Sequence, residues 1–202
     1  MSLIQDTQSF LRDLSQSNSR DWFLAHKSHY ESHLKTPALV LLDQLSADLE
    51  RLCDTKVTPK LFRPHRDVRF SKDKTPYHTH LHMLWALQSG PKPAFFFGIS
   101  PDDVTVGGGM MGFDKTQLTD WRAEIDQNGQ SWADMIAPML NDGWRQHDPD
   151  LKRVPAPFDK DHPQGDLLRR KSLTLWKSAR DLDDLLPSFT ELNPVLQKLV
   201  HL

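Results

Sequence analysis

Ala94-Phe95-Phe96-Phe97-Gly98-Ile99, Ser100-Pro101-Asp102-Asp103 and Val104-Thr105-Val106 read as strand, turn and strand. The first run is apolar throughout, as in a strand buried on both faces. Pro101 removes a backbone donor and Asp102 and Asp103 favour turns, so the chain reverses within four residues. A parallel crossover needs a dozen or more residues, so these strands pair antiparallel. Upstream, Ser89-Gly90-Pro91-Lys92-Pro93 reads as another turn, with a strand over 77–87 before it. Earlier still, residues 66–71 alternate. Arg66, Val68 and Phe70 would take one face of a strand and Asp67, Arg69 and Ser71 the other. Lys72-Asp73-Lys74-Thr75-Pro76 then reads as a turn, with Pro76 holding Thr75 extended. The middle of the chain is therefore an antiparallel meander.

Both flanks read as helix. Over residues 1–60, Asp6 or Thr7 can cap a helix carrying Phe10, Leu11 and Leu14, and Asn18 or Ser19 can cap the next. Thr36-Pro37 has the form of a helix start, with Leu41, Leu42, Leu45, Leu49 and Leu52 on one face after it. Beyond the meander, Leu118, Trp121, Arg122 and Ile125 mark one helix and Trp132, Met135, Ile136 and Met139 another. A proline-containing loop leads to a short strand at Leu173, Leu175 and Trp176, and two helical pieces close the chain. Helices, meander and helices make an α+β fold with a central antiparallel sheet flanked by N-terminal and C-terminal helices. The 202 residues suit a single domain, 1–202.

The totals restrict function. A formal net charge of −2 gives no overall pull towards nucleic acid or anionic membrane. One cysteine, Cys53, excludes an intrachain disulfide. No signal-like N-terminus and no apolar run of roughly 20 residues is present, so a cytoplasmic protein without a membrane partner is expected.

Against that even balance, residues 63–74 stand out, with five Lys/Arg and two Asp. Arg66, Arg69, Lys72 and Lys74 could cradle a phosphate or carboxylate, because the planar guanidinium fork meets two oxygens at once. Asp67 or Asp73 could orient those cations or act as a base. The same charges could equally form a structural ion-pair network, or a face that docks a protein. No basic run spreads over the rest of the chain, which argues against a nucleic-acid groove.

Two other patterns carry less. Gly107-Gly108-Gly109-Met110-Met111-Gly112 matches G-x-G-x-x-G, but that fingerprint belongs to a parallel βαβ unit and these strands are antiparallel. The glycines read better as a bulge or a close backbone approach. His78, His80 and His82 alternate on the expected strand, a chelating spacing. No Asp or Glu lies between Tyr77 and Pro101 to complete a ligand set, so neither metal nor cofactor is expected.

The chain resembles the DUF2461 family of uncharacterised proteins. The resemblance rests on Asn18-Ser19-Arg20-Asp21-Trp22-Phe23 with Tyr30, on Arg66 through Tyr77, on Gly107-Gly108-Gly109 with Leu118 and Arg122, and on Leu151-Lys152-Arg153-Val154-Pro155, Phe158, Asp161-His162-Pro163, Leu167-Leu168-Arg169 and Lys171. It departs at His78, where the family has lysine, and at Pro157, where glycine is expected. The family brings no established activity. The resemblance implies matching positions at Arg66, Asp67, Arg69, Ser71, Lys72, Asp73, Lys74 and Tyr77, and later at Arg122, Lys152, Arg169 and Lys171. The expectation is a small phosphorylated or carboxylated metabolite held by Arg66, Arg69, Ser71, Lys72, Lys74 and Tyr77, with Arg169 and Lys171 reaching it from the late block. Whether Asp67 and Asp73 make it an enzyme stays open.

Overall fold

The computed structural model describes residues 2–88 and 92–202. Helix α1 (Leu3–Gln16) starts earlier than the sequence suggests, capped by Ser2 in a reciprocal box with Gln5. Asp6 and Thr7 lie inside it and are buried, because Leu3 and Ile4 also have to reach the core. Helix α2 (Arg20–Ala25) starts as expected, with the Ser19 hydroxyl accepting from the Trp22 amide at 3.2 Å.

No break occurs at Thr36-Pro37. Helix α3 (Lys27–His29), a π-helical stretch (Tyr30–Lys35) and α4 (Thr36–Cys53) follow one another through helical dihedrals. The Thr36 amide donates to Glu31, five residues back. The wider turn gives room to the Pro37 ring, which would press on the carbonyl four residues earlier in a regular helix. α4 buries Ala38, Leu42, Leu45, Leu49 and Cys53 along one stripe and ends at Asp54 in a left-handed conformation (φ 49°).

Strand β1 (Val57–Leu61) falls where helix was expected. Pro59 disguises it, and an edge strand tolerates a missing donor. β2 (Leu81–Leu87), β3 (Ala94–Ile99), β4 (Val104–Met110) and β5 (Leu173–Ser178) complete a sheet of order β1-β2-β3-β4-β5, antiparallel throughout. The fold is α+β. Ser89, Gly90 and Pro91 of the expected β2–β3 turn lie outside the described residues. Residues 66–71 are not a strand. They belong to a loop, 62–80, between β1 and β2, and β2 begins at Leu81 rather than at 77.

α5 (Lys115–Asn141) merges the two expected helices across a kink at Asn128 (φ −126°, ψ 15°). Asp114 caps it, accepting from the Thr116 and Gln117 amides at 2.8 and 2.9 Å. A short α6 (Gly165–Leu168) precedes β5. α7 (Leu185–Val200) closes the chain after a 3-10 turn, as one helix rather than two.

Register sorts the sheet into two faces. Trp85, Phe95 and Leu175 lie in one row, facing the helices; Phe189 of α7 packs 5.7 Å from Trp85 and 4.9 Å from Phe95, centroid to centroid. The Trp85 indole donates to the Leu42 carbonyl at 3.0 Å, tying α4 to the same core. Leu84, Phe96, Gly107 and Trp176 form the neighbouring row on the opposite face. The glycine run lies within β4, where Gly109 has φ +127° and its Cα passes so close to β5 that a Cβ would strike the Leu173 carbonyl. Among the described residues no helix is long and apolar enough to cross a membrane.

Candidate functional site

Two basic regions compete for a functional role. The first is the charged loop. Its ends are clipped by the Arg66 amide donating to the Pro76 carbonyl (2.9 Å) and the His78 amide to the Pro64 carbonyl (2.7 Å). Between them, short-range side-chain bonds replace a ladder. Asp67 accepts the Arg69 amide (3.2 Å) and Asp73 the Thr75 amide (2.9 Å). Such bonds offer the backbone an alternative to strand pairing, which is why an alternating segment does not form a strand here.

The cations are engaged in the same construction. Arg69 grips Asp67 through Nε (3.0 Å) and Nη2 (2.7 Å). Arg66 bonds to Asp73, to the Thr75 carbonyl and hydroxyl, and to the Ser71 hydroxyl at 3.4 Å. Lys74 donates to the Val68 carbonyl at 2.9 Å. Lys72 and Arg63 make no side-chain hydrogen bond or ion pair among the described residues and project into solvent. Tyr77 is buried, stacked 4.1 Å from Phe23, and its backbone exchanges two bonds with the Asn18 side chain (2.9 and 3.1 Å). It anchors the loop to α2.

Both carboxylates are held below the ordinary aspartate range. For Asp67 the main cause is the Arg69 side chain; for Asp73 it is the Thr75 amide, then Arg66. A carboxylate held low in this way is a weak base.

The second region is a groove of about 590 Å³ whose lining includes Lys152, Arg153, Lys160, His162, Asp166 and Arg169. Side-chain and backbone bonds shape it. Asp159 accepts the Asp161 amide at 2.9 Å, the Gly165 amide donates to the His162 carbonyl at 2.9 Å, and the Leu151 amide donates to the Arg169 carbonyl at 3.0 Å. His162 accepts the Gln164 amide at Nδ1 (3.0 Å) and turns Nε2 to Asp126 (3.5 Å). Arg169 pairs with Asp166, and Lys160 meets Asp161 at 3.7 Å. Lys152 and Arg153, adjacent in sequence and exposed, have no hydrogen bond or ion pair among the described residues.

The family model of a conserved hypothetical protein, DUF2461, matches residues 6–197. The chain belongs to the DUF2461 family. No curated protein matches it.

The topology of this DUF2461 chain separates residues that the sequence reading grouped. The loop joins the β1 and β2 ends that lie beside Ile99, Val104 and, on β5, Ser178. Arg169 and Lys171 precede the other end of β5, where Leu173 pairs with Met110. About 20 Å of strand lies between the two ends, so Arg169 and Lys171 do not converge with Arg66, Arg69, Lys72 and Lys74. Lys171 serves locally through its backbone, its amide donating to Asp150 (2.7 Å) and its carbonyl accepting from Phe113 (2.8 Å).

The histidines do share a region. His80 stacks on His82 at 3.8 Å and lies 4.7 Å from His78. Stacked rings point their nitrogen lone pairs sideways in parallel planes rather than at one point, and no group of three metal-ligating residues is found among the described residues. Burial, with His82 and His78 as like-charged neighbours, pushes His80 down to about 4.

The sequence does not single out Arg153, Lys160 and His162 as residues that line one groove with Arg169. The signal was the local excess of Lys and Arg in the proline-containing segment, which is diluted by its acids and by its length.

Proposed function

We propose that the protein binds a compact anion, a phosphorylated or carboxylated small molecule, in the groove of Lys152, Arg153, Lys160 and Arg169. On this reading the charged loop is bracing, and binding proceeds without catalysis by Asp67 or Asp73. One observation carries it: two consecutive cations without carboxylate partners line a concavity of a size that suits small ligands. Arg66 and Arg69 have no such spare capacity. Arg169, already paired with Asp166, borders the same concavity, and Lys160 lies there 3.7 Å from Asp161, so the unpaired charge is that of Lys152 and Arg153.

Calorimetric titration of inorganic phosphate and pyrophosphate tests this. The Lys152→Ala/Arg153→Ala double variant should bind at least about tenfold more weakly, because each charge-assisted bond contributes roughly 1.5–3 kcal/mol. Equal affinity in wild type and double variant would remove the proposal.

A second reading, docking on an acidic protein, is favoured by Phe70. Its side chain is 95% exposed at the loop tip, with the Arg69 guanidinium 5.8 Å from the ring centroid. Photo-crosslinking from position 70 in cells would capture such a partner, and recovery of uncrosslinked protein alone would count against it.

A further inference from the structure

Independently of the groove, we propose that the open face of the sheet carries a pocket for a neutral planar ring compound the size of phenol or indole. The pocket encloses about 150 Å³ among Phe62, His82, Phe96, Thr105, Met111 and Trp176. A dry cavity of roughly that volume is known to take benzene. Phe96 and Trp176 lie in one cross-strand row on either side of Gly107, with centroids 5.3 Å apart and planes within 20°, which makes a flat aromatic wall. Gly107 permits it: a Cβ there would come within 2.5 Å of the Trp176 ring. The indole N–H already donates to the Thr174 hydroxyl at 3.0 Å, so Trp176 has only its apolar surface left to offer. At the rim, Met111 is 66% and Phe62 40% exposed, apolar surface that the fold itself leaves uncovered.

Polarity is supplied at one point. A Cβ built on Gly98 would lie 3.1 Å from His82 Nε2 and 3.2 Å from the Thr105 hydroxyl, so the two groups meet above that glycine. Neither side chain makes a hydrogen bond within the described protein. One ring hydroxyl or N–H could therefore be held there while the ring lies along Phe96 and Trp176. The lining contains no Lys, Arg, Asp or Glu. Lys60, 4.6 Å from the Phe62 ring centroid, is the cation beside it. Burial lowers both His82 and His80, which keeps the imidazoles uncharged at neutral pH.

Saturation-transfer NMR and thermal shift on the full chain, with phenol, indole, cyclohexanol and benzoate, test the assignment. Phenol and indole should bind and raise Tm; cyclohexanol, of similar size but not planar, and benzoate, an anion, should bind at least tenfold more weakly. Gly98→Ala needs no unusual backbone angle but adds a methyl group 2.9 Å from the His82 ring, pushing it away from Thr105, and should weaken phenol at least tenfold. Thr105→Leu, closer to the surface, should do the same if Gly98→Ala lowers Tm on its own. Failure of both rings to bind, equal binding of cyclohexanol, tighter binding of benzoate, or unchanged phenol affinity in both variants would overturn the proposal. The Lys152→Ala/Arg153→Ala variant should bind phenol as wild type does, which separates this site from the anion groove.

Discussion

The loop 62–80 and the segment 151–171 are both rich in positive charge, yet they are built in opposite ways. In the loop the basic residues alternate closely with Asp67 and Asp73, so Arg66 and Arg69 find carboxylates within seven residues and close on them. In the later segment, short turns and His162 shape the backbone, and Lys152 and Arg153 are left over beside a concavity. Local charge density is thus a poor guide to a ligand site. Leftover charge at a concave surface is a better one.

The contrast can be broken by mutation. Tyr77→Ala should have the largest effect, because Tyr77 is 4% exposed and stacks on Phe23. Loss of a buried aromatic costs roughly 3–5 kcal/mol, and chemical denaturation should show it. Arg66→Ala should follow. It removes four hydrogen bonds, to Asp73, to Ser71 and twice to Thr75, from a side chain that is 22% exposed, at about 1–3 kcal/mol. Neither change should alter phosphate affinity once folding is accounted for, and a loss of affinity in either would return ligand binding to the loop.

A pH scan sharpens the same comparison. His80 is lowered from the usual histidine value to about 4 in the folded protein. A base held down by folding contributes stability that is complete above its unfolded pKa, about 6.5, and is lost as pH falls towards the folded value. Tm should therefore decline between about pH 6.5 and 4, and His80→Phe should flatten that decline. Below about pH 4 the loop carboxylates, held low by Arg69, Thr75 and Arg66, begin to lose their contribution as well. The smallest effect belongs to Arg69→Ala. The pair is exposed on both sides, 76% and 47%, so the loss should be about 0–1 kcal/mol.

The meander was legible because Phe95, Phe96 and Phe97 form a short apolar run between turn residues. Helix α4 was legible through its leucine spacing. Residues 66–71 misled for a physical reason: alternation signals a strand only when the backbone has no better hydrogen-bond partner, and the Asp67 and Asp73 side chains supply one. Pro59 hid β1, and the π-helical stretch that admits Pro37 leaves no mark in sequence. The groove was illegible for a different reason. Lys152 and Arg169 are brought to one wall by turns around His162 and by the Leu151–Arg169 backbone bond, neither of which spacing reveals.

The most direct test titrates pyrophosphate into wild type, Arg69→Ala and Lys152→Ala/Arg153→Ala under identical low-salt conditions. The account predicts unchanged affinity for Arg69→Ala and at least tenfold weaker binding for the double variant. The reverse pattern, with affinity lost from the loop variant and kept by the groove variant, would contradict it.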